Sequence, residues 1–223
     1  MKLWRRLSGL RRDRSGLAVV ELALSLPFLL GLGLVGFEIA NLTIVTMRVS
    51  RLAEHVADNA SRIGDTSALQ NRKIYEGDIN DLFFGADMQG GERLDFYENG
   101  RIILSSLEVT EDEAQSQYIH WQRCKGKLDW KSTYGDEGDG RDGSLDGMGP
   151  EDTKVSALPG EAVMFVEVAY RYQPLVSERI VPAKMVQSTS AFTVRVSRDL
   201  SQIYQRDPRS PAPRATCDRF DGI

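Results

Sequence analysis

The feature that most constrains this chain is an apolar run from Leu17 to Phe37, "LAVVELALSLPFLLGLGLVGF", which carries a single charged residue, Glu21. A helix rises about 1.5 Å per residue, so the run is about 31 Å long, close to the thickness of the hydrocarbon core of a bilayer. The run therefore predicts one membrane-spanning helix, which we place at residues 17–44.

The charge on either side of this run predicts its orientation. Residues 1–16 contain six Lys and Arg residues and one Asp, whereas the whole chain has a net charge of −4, so the remainder is acidic. Lys and Arg collect on the cytoplasmic side of a span. This predicts a single-pass protein of the inner membrane with a cytoplasmic N-terminus and a periplasmic C-terminal domain. An acidic body argues against nucleic acid as a partner, because phosphate binding needs basic residues on the folded surface.

A cleavable secretory signal explains the same segment less well. The apolar core of such a signal is usually about 7–15 residues long and is followed by a small-x-small cleavage site. The run here is longer, and the stretch 37–41 that follows it is a poor match to such a site.

Glu21 needs its own explanation, because a carboxylate near the hydrocarbon is costly and usually has a partner. If the chain were cut after Gly16, Leu17 would gain an α-amine, which is cationic near neutral pH, and Glu21 would be the fifth residue. A carboxylate of one helix could pair with the amine of a neighbour that is offset along the axis, which would offset the cost of burying both charges. The simpler alternative is a carboxylate tolerated at the membrane interface.

The stretch "RSGLAVVELALSLPFLLGLGLVGFEIA" resembles the N-terminal signal of type IV pilin-like proteins. Its residue pattern is similar to that of the TadE/TadG-like family of the tight-adherence, or Flp, pilus system. The shared features are a basic leader that ends in Gly16, Glu21 at the fifth place after it, Pro27, a Leu/Gly run and a second acidic residue, Glu38. The likeness is close over residues 11–45.

The resemblance implies that a prepilin peptidase cuts between Gly16 and Leu17 and removes the leader, residues 1–16. It implies that Glu21 acts in assembly by pairing. The chain is longer than a major Flp pilin, so the resemblance implies a minor pilin or pseudopilin that acts in pilus assembly, adhesion or secretion. The implied partners are other pilins and pilus assembly proteins, and no cofactor and no enzymatic activity are implied.

Two other functions stay open. One is an uncut, single-span, membrane-anchored binding protein that faces the outside. The other is an anchored hydrolase that uses carboxylates. The mature N-terminus separates the possibilities, because Leu17 indicates the pilin, Met1 the uncut anchor, and a residue after about 40 a secreted protein.

Beyond the membrane, the pattern predicts a continued helix and a domain. An apolar stripe recurs at helical spacing, at Val45, Val49, Leu52, Val56 and Ile63. The helix is therefore expected to extend over residues 45–64 and to pack on an extracytoplasmic domain at 65–223. Asp58 and Arg62 can pair on its exposed face.

The remaining elements predict the fold class α+β. Residues 67–70 have the form of a capping box, and a short helix is expected at 78–88. Asn99 and Gly100 lie between two apolar runs, which predicts a hairpin. Further strands are expected at 117–121, 161–173 and 187–198. The sequence thus predicts a long N-terminal helix packed on a mainly antiparallel sheet.

One segment of the domain is strongly acidic. Residues 134–152, "YGDEGDGRDGSLDGMGPED", are rich in Gly and Asp and predict a flexible surface loop. Oxygen ligands for calcium are abundant there. Their spacing matches neither the EF-hand loop nor the nonapeptide repeat, so we predict no metal site.

The chain has two cysteines, Cys124 and Cys217. Outside the cytoplasm they would form a disulfide if they lie close together. The alternatives are an unpaired thiol and an intermolecular bond. The chain contains no nucleophile elbow, P-loop, zinc-protease or dinucleotide motif, and we assign no catalytic residue.

Overall fold

The computed structural model describes residues 15–65, 71–179, 181–194 and 197–221. Its elements, in chain order, are α1 (Ser15–Ala60), α2 (Glu76–Leu94), α3 (Phe96–Asn99), β1 (Gly100–Val109), β2 (Gln117–Lys125), a 3-10 turn (Glu151–Thr153), β3 (Val163–Arg171) and β4 (Met185–Thr193). The structure confirms the predicted class, α+β, with a long N-terminal helix packed against an antiparallel sheet. Most of the predicted leader, residues 1–14, and the predicted capping box at 67–70 lie outside the described residues.

The chain divides into two compact units. The first, which we call the helix unit, contains the chain up to Thr43 together with Pro174–Pro182. The second, the sheet unit, contains Ile44–Gln173 and Ala183–Ile223. Helix α1 contributes residues to both units.

Within the sheet unit, α1 buries three residues of the predicted stripe, Val49, Leu52 and Val56, whereas Val45 and Ile63 are half-buried. The structure adds three buried alanines that the sequence analysis did not name, Ala53, Ala57 and Ala60. Their spacing of three or four residues places them on one face of the helix. On the exposed face, Arg62 Nη2 lies 2.7 Å from Asp58 Oδ1, which confirms the predicted pair.

Helix α1 ends at Ala60, slightly earlier than predicted, and a buried arginine binds its end. The Nη2 group of Arg198 donates to the carbonyl oxygens of Ala60, at 3.2 Å, and Ile63, at 2.7 Å. The last carbonyl groups of a helix lack partners within the helix and attract cations. Burial lowers the pKa of Arg198 to about 10, a shift that the charge of Glu108 opposes.

The four strands form one sheet in the order β2-β1-β3-β4, and every neighbouring pair is antiparallel. Strand β3 matches the predicted segment 161–173 closely, β2 continues four residues beyond the predicted 117–121, and β4 begins two residues before and ends five residues before the predicted 187–198. In the register, Ile103 of β1 lies opposite both Cys124 of β2 and Glu167 of β3. Because side chains alternate between the two faces of a sheet, these three residues share one face.

The predicted hairpin at Asn99 and Gly100 is wrong. Residues Phe96–Asn99 form the short helix α3 instead of a strand, after Asp95, which adopts a left-handed conformation with φ 41°. The ring of Phe96 stacks on Tyr170 with centroids 5.9 Å apart. The apolar residues before Gly100 therefore enter the core from a helical turn, and the first hairpin of the sheet joins β1 to β2.

Candidate functional site

The predicted processing site lies within α1. Gly16 and Leu17 have helical geometry, and both are exposed. Glu21 follows Leu17 by four residues, which is one helical turn, and it is also exposed. Side chains of a helix lean toward its N-terminus, so the Glu21 carboxylate leans toward the end at which a cut would create an amine.

The first part of α1 is apolar on all sides and exposed. Its exposed large apolar side chains include Leu17, Val19, Val20, Leu22, Leu24, Leu26, Phe28, Leu29, Leu30, Leu32, Leu34, Val35, Phe37 and Ile39. A helix that is hydrophobic all round is normally buried in a large core or crosses a membrane. Within the described residues, this is the one helix long and apolar enough to cross a bilayer. The chain therefore has a candidate single-pass anchor near its N-terminus.

Small residues interrupt this apolar surface. Gly31, Gly33 and Gly36 have open space where a side chain would begin. Small residues let a second helix backbone approach closely inside a membrane. The arrangement can accept a neighbouring helix, although the spacing is not a strict GxxxG.

Glu38 behaves in the opposite way to its neighbours. Its exposed fraction is 0%, and it is the one buried residue among the described residues of the helix unit. Its Oε1 accepts the backbone N–H of Leu175 at 3.2 Å, and its Oε2 accepts the backbone N–H of Val176 at 2.8 Å. A buried carboxylate is costly without such bonds. The sequence named Glu38 only as part of a resemblance and gave no signal for these partners, which lie 137 and 138 residues away.

In the sheet unit, the structure joins Cys124 and Cys217 in a disulfide with a Cα–Cα distance of 4.8 Å. The bond holds the C-terminal segment beside β2. Backbone bonds continue this contact, because Cys124 N–H donates to Ala215 O at 2.7 Å and Gly126 N–H donates to Asp221 O at 2.9 Å.

Arg101 binds the same C-terminal segment from β1. Its Nη1 donates to the carbonyl oxygens of Gly126 and Arg219, at 2.9 and 3.0 Å, and its Nη2 donates to Cys217 O at 2.7 Å. The guanidinium also lies 4.1 Å from the centre of the Phe220 ring. Burial lowers the pKa of Arg101. No pattern in the sequence indicated this contact.

Three buried carboxylates of the sheet unit form hydrogen bonds or ion pairs with other residues of the same unit. Glu76 forms two bonds with Arg123, at 2.7 and 3.0 Å. Glu108 accepts Ser106 Oγ at 2.7 Å, and its Oε2 lies 2.8 Å from His120 Nδ1. The Glu76–Arg123 pair links α2 to β2, and the contact between Glu108 and His120 links β1 to β2.

Glu167 is the third of these carboxylates. It accepts Ser132 Oγ at 2.5 Å and the Thr133 N–H at 3.0 Å. Burial raises the pKa of Glu167, although both hydrogen bonds oppose the shift, and the charge of Asp136 adds to it. The carboxylate thereby anchors the start of the acidic segment to the face of the sheet.

The acidic segment 134–152 consists of turns fixed along the edge of β2. Gly138 N–H donates to Ile119 O at 2.8 Å, and Ile119 N–H donates to Asp139 O at 2.9 Å. Across the described residues, no group of three or more His, Cys, Asp and Glu side chains is arranged to hold a metal ion. The flexibility predicted for this segment stays a prediction.

Comparison of the chain with protein-family models, with curated proteins and with solved structures finds no significant match. The candidate function therefore depends on the geometry of the helix unit and on the sequence signal at its N-terminus.

Proposed function

We propose that this chain is a minor pilin or pseudopilin of a tight-adherence pilus and that a prepilin peptidase cuts it between Gly16 and Leu17. One observation carries the proposal. A basic leader, a glycine and a carboxylate five residues later precede or lie within the part of α1 whose apolar side chains are exposed. The resemblance of this stretch to the TadE/TadG-like family supports the same function.

The first step is the removal of the leader. Hydrolysis of the bond between Gly16 and Leu17 leaves a carboxylate on Gly16 and an α-amine on Leu17. The cut removes six Lys and Arg residues, and with them the segment that favours a cytoplasmic N-terminus. The mature helix then begins with one positive charge, at its amine.

The second step is pairing between subunits. Glu21 lies one turn beyond the new amine, in the low-dielectric surroundings of a bilayer or of a bundle of helices. Two such helices, shifted along their axes by about one turn, or ~5.4 Å, bring the carboxylate of one chain to the amine of the other. The pair is favourable because each charge left alone in hydrocarbon would be costly.

The apolar side chains of the helix unit supply the remaining contacts. Helices associate in a membrane through van der Waals packing and close approach at small residues. Gly31, Gly33 and Gly36 provide such an approach. The sheet unit, built on the later turns of α1 and closed by the disulfide, would cap, prime or decorate the filament.

The mature N-terminus tests the processing step. We expect N-terminal sequencing of the protein from its native membranes to begin at Leu17. The variant Gly16→Asp should keep Met1, because a charged side chain occupies the position where glycine precedes the cut. A wild-type protein that keeps Met1 would leave an uncut anchor in place of the pilin.

Pilus output tests the pairing step. Glu21→Ala should be cut normally but should assemble at least about tenfold less pilus, equivalent to ~1.4 kcal/mol per subunit contact. Glu21→Asp keeps the charge and should recover part of the output. The matched control is Glu54→Ala, which removes an exposed carboxylate from the later part of α1 and should leave output unchanged. Normal pili from Glu21→Ala would contradict the pairing role.

A further inference from the structure

The loop Pro174–Pro182 belongs to the helix unit although it connects β3 to β4 of the sheet unit. Its sequence is "PLVSERIVP", which is apolar apart from the serine and the adjacent Glu178 and Arg179. The loop meets α1 at Glu38, which accepts the N–H groups of Leu175 and Val176. The contact includes a fully buried carboxylate and two backbone donors.

The position of this contact along α1 is informative. The apolar run of the helix ends at Phe37, after about 31 Å of helix, and Glu38 is the next residue. If the apolar run fills the hydrocarbon core, residues 38–44 of the predicted span lie in the headgroup region, and the loop backbone lies at the level where the helix leaves the hydrocarbon. This step rests on the membrane span of the proposed function and is independent of cleavage at Gly16.

The chemistry of the loop fits that level. Leu175 is 56% exposed, and next to Glu38 the side chains of Phe37 and Ile39 are 59% and 54% exposed. Arg179 is exposed in the same loop. Apolar side chains at the boundary between lipid headgroups and acyl chains, together with a basic side chain near the phosphates, are typical of segments that lie on a membrane surface.

We propose that the loop Pro174–Pro182 is a second membrane contact, bound to a phospholipid surface. Glu38 holds the loop against α1, Leu175 enters the boundary between headgroups and acyl chains, and Arg179 faces the lipid phosphates. The two N–H groups of the loop also bind a carboxylate that is costly to bury at the edge of the hydrocarbon. A lipid surface is favoured over a protein partner because the exposed apolar side chains continue the surface of the span.

Fluorescence quenching of the full chain in lipid vesicles tests this assignment. We would substitute Leu175→Cys, keep the native disulfide, attach an apolar bimane probe, and reconstitute the protein in phosphatidylcholine and phosphatidylglycerol. Lipids that carry a nitroxide near the headgroup should quench the probe at least about twofold more than lipids with the nitroxide at the chain end, as expected for a side chain at the interface. Aqueous iodide should quench it weakly.

Two matched probes calibrate the measurement. A probe at Leu24→Cys, in the apolar run, should be quenched best by the nitroxide at the chain end. A probe at Leu158→Cys, an exposed leucine of the sheet unit, should respond to iodide and not to either lipid. Changing Glu38→Ala in the Leu175→Cys protein should increase quenching of the probe by iodide. Glu38→Gln, which keeps the shape and one acceptor oxygen, should give an intermediate increase.

The possible outcomes distinguish an error in the loop assignment from an error in the proposed membrane span. Quenching at Leu24 by deep lipid together with quenching at Leu175 by iodide alone would overturn the loop assignment and leave the span intact. Protection of the Leu175 probe from both lipid and iodide, with cross-linking between copies, would overturn it in favour of a protein contact. A Leu24 probe that no lipid quenches would remove the span, and with it both proposals. Met1 as the mature N-terminus would remove only the pilin.

Discussion

The helix unit and the sheet unit distribute their side chains in opposite ways. In the helix unit the large apolar side chains are exposed, and the one buried residue among those described is a carboxylate, Glu38. In the sheet unit most large apolar side chains are buried, and the buried carboxylates of Glu76, Glu108 and Glu167 bond within the unit. The sheet unit therefore has an apolar core of its own, whereas the described part of the helix unit presents its apolar side chains to its surroundings.

Buried polar groups follow the same rule in both units. A polar group that loses water needs a hydrogen-bonding partner in either environment. In the sheet unit the partners are side chains and backbone groups of neighbouring strands and loops. At Glu38 they include two backbone N–H groups of a loop. For Glu21, which has no buried surroundings in a single chain, we propose a partner on another subunit.

The largest expected effect is loss of the disulfide. Replacing Cys124 and Cys217 by serine opens a loop closed across 93 residues and should destabilise the sheet unit by ~4–5 kcal/mol in the chain-entropy treatment. Urea unfolding of the full chain in detergent, followed by near-UV circular dichroism, measures this change. Membrane extraction with alkaline carbonate should give the same result for the variant and the wild type. Release of the variant from the membrane would contradict the expectation that membrane attachment depends on the helix unit and not on the disulfide of the sheet unit.

The next effect concerns a buried ion pair. Arg123→Met leaves the Glu76 carboxylate buried without its bidentate partner and should cost the sheet unit about 3 kcal/mol. Burial disfavours the charge of Arg123, but Glu76 and Glu137 outweigh burial and raise its pKa, so the guanidinium is charged throughout the usual pH range. The shift in the urea midpoint measures the cost.

Two further variants test whether Arg123 is the main partner of Glu76. Arg214→Met removes a largely exposed arginine whose Nε lies 3.5 Å from Glu76 and should change stability by less than about 1 kcal/mol. The double variant Glu76→Gln with Arg123→Met should recover most of the loss, because no charge is then left unpaired. Equal losses for Arg123→Met and Arg214→Met would contradict the assignment of Arg123 as the main partner.

The smallest effect depends on pH. Because the pKa of Glu167 is raised in the folded protein, the folded state binds this proton more tightly than the unfolded state. Stability from this group is therefore present below the ordinary pKa and is lost as the pH rises through the raised value. Glu167→Gln should consequently gain stability relative to the wild type as the pH rises from 4 to 8, by about 1.4 kcal/mol for each unit of the shift.

Urea midpoints across that pH range measure the trend. Ser132→Ala removes a hydroxyl bond that lowers the pKa of Glu167, so the loss of stability should extend to higher pH in this variant than in the wild type. A difference between Glu167→Gln and the wild type that stays constant with pH would contradict the raised pKa.

Much of the fold could be predicted because its signals are local. The branched and aromatic residues of β2, β3 and β4 predicted strands, and the stripe along α1 predicted its buried face. The hairpin at Asn99 and Gly100 failed because the turn signal is equally compatible with a short helix, α3, whose aromatic residues pack on distant parts of the chain. Stacking of Phe96 on Tyr170 has no signature within a window of ten residues.

The features of the candidate site also separate into those that the sequence predicted and those that only the structure revealed. The apolar run, the basic leader and the places of Gly16 and Glu21 follow from the order of residues alone, because membrane insertion and peptidase recognition depend on contiguous segments. The position of Glu38 in the sequence was visible, but its partners were not. The same holds for Arg101, whose bonds to the C-terminal segment join residues separated by up to 118 positions.

The sequence by itself determined the candidate span, its predicted orientation, the acidic charge of the rest of the chain and the strands β2, β3 and β4, since each depends on composition or periodicity over neighbouring residues. Only the tertiary structure decided that Glu38 binds the loop Pro174–Pro182, that Cys124 meets Cys217, and that Arg101 and Arg198 bind carbonyl groups far along the chain. The physical reason is that hydrogen bonds and disulfides require specific atoms within about 2–3.5 Å. Such distances arise only after the chain has folded.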